Sequence, residues 1–99
     1  MGISARVQTY TGDTVAVSTN PAIAALCQRA AALAMPMLDY VDPYDDTWFN
    51  KLQMRLVVPE LNALLDDAPA AEAEAANELL TLAAHLERKP HRYLIFNGD

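Results

Sequence analysis

The chain opens on an alternation of apolar and polar residues. Ile3, Ala5 and Val7 alternate with Ser4, Arg6 and Gln8, the period-2 pattern of a strand with one face in a core. Thr11-Gly12-Asp13 supplies a turn, because Gly12 tolerates positive φ and the Asp13 side chain bonds turn backbone. Val15 and Val17 mark a second strand over Thr14 to Ser18, so an N-terminal hairpin is predicted.

The period then lengthens to three and four residues. Thr19-Asn20-Pro21 reads as a helix start, with a capping side chain and a proline whose missing N–H costs nothing there. Ile23, Leu26, Cys27, Ala30 and Leu33 or Ala34 form the apolar stripe of a first helix ending before Pro36. Met37 to Val41 is short, rich in β-formers and bounded by Pro36 and Pro43, and is predicted as an interior strand. A loop from Asp42 to Thr47 and a short turn through Trp48-Phe49-Asn50 are expected next.

Leu56, Val57, Leu61, Leu64 and Leu65 suggest a second helix between Arg55 and Asp66. Pro59 is tolerable only in a first turn, which puts the expected helix start near Val57 or Val58. Ala70 to Arg88 is the strongest helix candidate, with Glu72 and Glu74 near its positive end and Arg88 and Lys89 near its negative end. Its inward face is Ala75, Leu79, Leu82, Ala83 and Leu86. Pro90 stops it, and Arg92 to Phe96 is a final strand before Asn97-Gly98-Asp99. The predicted order is β-β-α-β-α-α-β: an α+β single domain, residues 1–99, with three helices on one face of a mixed four-stranded sheet.

Composition narrows what such a domain does. With 99 residues, 53% of them hydrophobic, the chain is long enough for one core and too short for two. A net charge of −6 disfavours nucleic acid and anionic membrane as partners, since both call for a field of Lys and Arg. No apolar run is long enough to cross a bilayer, and the N-terminal residues match neither a secretory nor a myristoylation signal, so a cytoplasmic location is expected. The lone Cys27 makes no internal disulfide and reads as a small core residue.

No catalytic set emerges. The three glycines are scattered, no serine sits in a nucleophile elbow, and His85 and His91 straddle Pro90 at a spacing unsuited to a helical metal pair. Asp42, Asp45 and Asp46 lack the spacing of a calcium loop. No cofactor, catalytic residue or metal ligand is therefore assigned.

The charge distribution is more informative. Ten acidic residues lie between Asp39 and Glu78, against only Lys51 and Arg55. Such a surplus either solubilises a surface or attracts a basic protein. The expected partner-binding residues are Asp42, Tyr44, Asp45, Asp46, Trp48, Asn50 and Gln53, extended by Glu72, Glu74 and Glu78. The competing structural role for the loop is that Asp42 caps the end of the preceding strand, Asp46 and Thr47 cap the following turn, and Asn50 and Gln53 fasten loop backbone. Two other readings stand beside a binding module: a small ligand-binding domain or enzyme with a pocket around Tyr44, Asp46, Asn50, Gln53 and Tyr93, and a homodimeric scaffold or regulator.

The run Asp42-Pro43-Tyr44-Asp45-Asp46-Thr47-Trp48-Phe49-Asn50-Lys51-Leu52-Gln53, with the ending Tyr93-Leu94-Ile95-Phe96-Asn97-Gly98-Asp99, resembles a group of small bacterial proteins. These share an Asp-Pro-Tyr, Asp-Thr, Phe-Asn, Leu-Gln core and finish in an aromatic strand with Gly-Asp. Asp45 stands where a glycine is common in that group, and Trp48 where a smaller β-branched residue is usual. In size, charge and architecture the group is similar to the acidic immunity proteins that accompany bacterial toxins. The resemblance implies an immunity-type protein that neutralises a basic toxin or effector by occluding it.

Overall fold

A computed structural model describes residues 2–99. Its elements run β1 (Ile3–Thr9), β2 (Thr14–Ser18), α1 (Ile23–Ala32), a 3₁₀ turn (Leu38–Tyr40), β3 (Asp46–Phe49), α2 (Met54–Leu65), α3 (Ala70–Arg88) and β4 (Arg92–Gly98). The α+β class and the order β-β-α-β-α-α-β are as predicted. Strand order in the sheet is β2-β1-β4-β3, and every neighbouring pair is antiparallel where a mixed sheet was expected.

The N-terminal hairpin forms as its pattern requires. Ile3, Ala5 and Val7 are buried, and the turn is closed by Thr9 N–H to the Asp13 carbonyl at 2.8 Å with Gly12 at φ +99°. β4 enters the centre of the sheet, paired with β1 on one side and β3 on the other. Leu94 and Phe96 point with Ala5 and Val7 into the core, and Phe49 meets Phe96 edge-on at 5.9 Å. α1 and α3 lie against the sheet, and α2 packs chiefly along α3. All five residues of the predicted inward face of α3 are buried. Removing such side chains from water, at about 25 cal/mol per Å² of apolar surface, is the main force holding helices to sheet. No helix among the described residues is long and apolar enough to cross a membrane.

The middle of the chain departs from expectation. Met37 to Val41 is no strand: it winds into the 3₁₀ turn, burying Leu38 and Val41 at a three-residue step. The cause lies in α2, where the buried Glu60 carboxylate accepts the Met37 N–H at 2.9 Å and the Leu38 N–H at 2.8 Å. Those amides would otherwise be orphans at the start of a turn. The third strand instead is Asp46–Phe49, placed by pairing with β4. α2 begins at Met54 rather than near Val57, so Pro59 falls inside it, and Leu56 is exposed. At the end of α1, Ala34 takes a left-handed φ of 54°. The Met35 N–H reaches Ala30 O and the Ala34 N–H reaches Ala31 O, the paired bonds of a Schellman cap made without glycine. Leu33 and Ala34, the two residues expected to end the α1 stripe, are thereby both left exposed beyond the helix.

Candidate functional site

The segment from Asp39 to Asn50 contains no lysine or arginine and forms one edge of the molecule, where the 3₁₀ turn runs into edge strand β3. Its backbone is fixed by its own short polar side chains. Asp42 Oδ1 accepts the Tyr44 N–H at 2.8 Å, the Asp42 N–H donates to Thr47 Oγ1 at 2.9 Å, and Asp45 Oδ1 accepts the Asp46 N–H at 2.8 Å. Gly98 docks against this loop, donating its N–H to the Asp45 carbonyl at 3.0 Å. A Cβ at position 98 would lie 2.4 Å from Asp42 O and 2.5 Å from the Pro43 carbonyl carbon, so only glycine admits the approach.

The loop presents aromatic rings among carboxylates. Tyr40 is 76% exposed, Tyr44 65% and Trp48 48%, and Asp39, Asp42, Asp45 and Asp46 are exposed beside them. Trp48 and Asp46 point to the helix-free face of the sheet, on the same side as Ile95 and Asn97. There Trp48 meets Tyr93 edge-on at 5.6 Å. Ile95 is fully buried on this face, between its cross-strand neighbours Arg6 and Trp48. A polar chain runs beside it: Arg6 Nε donates to Gln8 Oε1 at 2.9 Å, Arg6 Nη1 donates to Asn97 Oδ1, and Asn97 Nδ2 donates to Asp46 Oδ1 at 2.8 Å.

The other predicted residues serve different ends. Asn50 and Gln53 bond one another reciprocally: the Gln53 N–H reaches Asn50 Oδ1 at 2.9 Å and the Asn50 N–H reaches Gln53 Oε1 at 2.8 Å. This is a capping box ahead of α2, the loop-fastening role that the sequence also allowed. Glu72 accepts from Arg29 Nε at 2.9 Å in the one salt bridge among the described residues, and Arg29 Nη2 also reaches Leu64 O at 3.0 Å. Glu78 accepts from Ser18 Oγ at 2.7 Å and Asn20 Nδ2 at 2.9 Å, and these bonds, Ser18 first, hold its carboxyl below the usual glutamate range. Glu74 is exposed.

Glu78 binds the end of β2, the sheet edge opposite β3, so about 14 Å of sheet separates it from the loop, at three strand spacings. The acidic residues thus do not make one continuous face. Nor do Tyr44, Asp46, Asn50, Gln53 and Tyr93 converge on a pocket. Asp46 is tied to Asn97, Asn50 and Gln53 close on each other, and Tyr93 packs on Trp48. Among the described residues, no three His, Cys, Asp or Glu side chains group to hold a metal ion.

Sequence reasoning did not foresee a cleft of about 590 Å³ between α1 and the turn-to-loop segment. Ile3 and Cys27 line its base, and Asp39 and Tyr44 belong to its wall. Burial pushes the Cys27 thiol up to about 12, so it stays neutral and unreactive. A hint was present in the sequence: Ala24 and Ala31, small residues on α1, leave room where larger side chains would fill it. Comparison with protein-family models, curated proteins and solved structures returned no match.

Proposed function

We propose that this chain is a non-catalytic binding module that holds a basic protein partner against its acidic, aromatic edge. One observation carries the reading: Tyr40, Tyr44 and Trp48 stand exposed among Asp39, Asp42, Asp45 and Asp46 in a stretch free of lysine and arginine. Carboxylates steer a cationic surface into encounter, and aromatic rings supply anchors that lose water on docking and attract cations through their faces. The hydrogen bonds within Asp42–Thr47 and the seat on Gly98 order the loop beforehand, which lowers the entropy cost of association.

The finer reading, that of a bacterial immunity-type protein occluding a basic toxin or effector, rests on the family resemblance together with this charge. A cytoplasmic site of action belongs to the same reading. The full chain, immobilised and exposed to a lysate of its source organism, is expected to retain a stoichiometric basic protein that raised salt releases. The double variant Asp45→Lys and Asp46→Lys should lose it. A complex indifferent to that reversal, or a partner with an acidic contact surface, overturns the proposal.

A further inference from the structure

The cleft beside the acidic edge has the mixed character of a site for one kind of side chain. The buried Ile3 and Cys27 form its floor, with a cysteine that remains an uncharged thiol, and Ala24 and the exposed Ala31 add apolar lining from α1. Asp39 is the only charged residue of the lining, and it has no cationic partner among the described residues. Tyr44 stands on the same wall, and its ring is largely exposed. An apolar lining that also carries one carboxylate and one phenol ring matches a long methylene stem carrying a planar cation. Arginine meets this description better than lysine, because its guanidinium stacks on an aromatic face and bonds a carboxylate with two parallel N–H groups.

We propose that the cleft between α1 and the Asp39–Tyr44 segment receives an arginine side chain of the partner protein, its stem over Ile3 and Cys27 and its guanidinium between Asp39 and Tyr44. This inference rests on the proposed binding of a basic partner and names the residue that anchors it. A volume of about 590 Å³ exceeds one side chain, so the arginine enters with part of the main chain that carries it. The surrounding aspartates then serve encounter, and the cleft serves retention, a division common at interfaces where rim charges govern association and buried anchors govern dissociation.

The test uses the full chain and the capped tripeptide acetyl-Ala-Arg-Ala-amide, followed by backbone amide NMR. Saturable shifts are expected at Gln28, Ala31 and Asp39. The counterpart with norleucine in place of arginine, which keeps the stem and removes the charge, should bind at least about fivefold more weakly. Asp39→Asn should weaken the arginine peptide about threefold, the scale of a partly exposed ion pair. Ala31→Trp fills the cleft from an exposed helix position and should abolish binding with the melting temperature unchanged; Gln28→Trp, also exposed, serves if that variant misfolds. Absent shifts at those amides, equal affinity for the norleucine peptide, or binding that survives both tryptophan variants would each overturn the cleft proposal. If Ala31→Trp still captures the basic partner that Asp45→Lys with Asp46→Lys loses, the edge reading stands and the cleft reading falls. If the wild-type chain retains no basic partner although the peptide binds as described, the edge reading alone fails.

Discussion

Two groups of carboxylates share this small protein and do opposite things. Glu60, Glu72 and Glu78, all on helices, are turned inward onto backbone amides, an arginine and a pair of polar side chains. Asp39, Asp42 and Asp45, on the turn and loop, and Asp46, at the start of β3, remain exposed to solvent even where one oxygen bonds local backbone or, for Asp46, the Asn97 side chain. Equal formal charge therefore has unequal consequences. The first group joins elements distant in the chain and contributes to stability; in the second, Asp46 alone reaches across, to Asn97, and Asp39, Asp42 and Asp45 contribute little to stability and project a field. A charge count alone would have merged them into one face.

The contrast is broken most severely where the loop meets the sheet. Gly98→Ala should cost about 3 kcal/mol, the upper end for forcing an extra methyl group into packed structure, because the atoms it strikes are backbone. Urea denaturation measures this, and the loop amides should shift more in NMR spectra than those of α3. Glu60→Ala should cost about 2 kcal/mol by stranding the N–H groups of Met37 and Leu38. Asp45→Ala, in the other group, should stay within about 0.5 kcal/mol of wild type. Similar losses for the two would erase the distinction drawn between them.

A pH titration sharpens the comparison further. The Glu78 carboxyl is held below its ordinary range by Ser18 and then Asn20. Its contribution is therefore present above the unfolded glutamate pKa and is lost as pH falls through the lower folded value. Glu78→Gln should flatten the acid limb of the stability curve, read as urea-denaturation stability against pH. The smallest effect concerns Cys27, whose buried neutral thiol should resist iodoacetamide in the native protein at pH 8 and react fully in denaturant. Rapid native labelling would mean that the cleft floor opens.

The legibility of the sequence followed the range of the forces involved. β1, β2, α3 and β4 could be read because their apolar periods match their geometry and because Gly12, Pro21 and Pro90 punctuate them locally. Within the acidic segment, the sequence also raised the loop-fastening role that Asn50 and Gln53 play, since a capping box is a local device, whereas Asp42, expected to cap the end of a strand, closes an Asx turn with Tyr44 instead. Met37–Val41 was misread because its partner, Glu60, lies more than twenty residues away. β3 was missed because a four-residue edge strand carries almost no period of its own and exists by virtue of its ladder to β4.

By itself, then, the amino-acid sequence determined an α+β chain with a hairpin, three helices and a closing strand, together with an acidic surplus in its middle. Hydrophobic period and turn chemistry act between near neighbours and so are written in order along the chain. Only the tertiary structure decided which carboxylates are consumed internally, which face water, and where α1 and the loop leave a cleft. Those outcomes depend on groups brought together from distant positions, and a hydrogen-bond acceptor such as Glu60 or Glu78 acquires its role only when the fold delivers a donor to it.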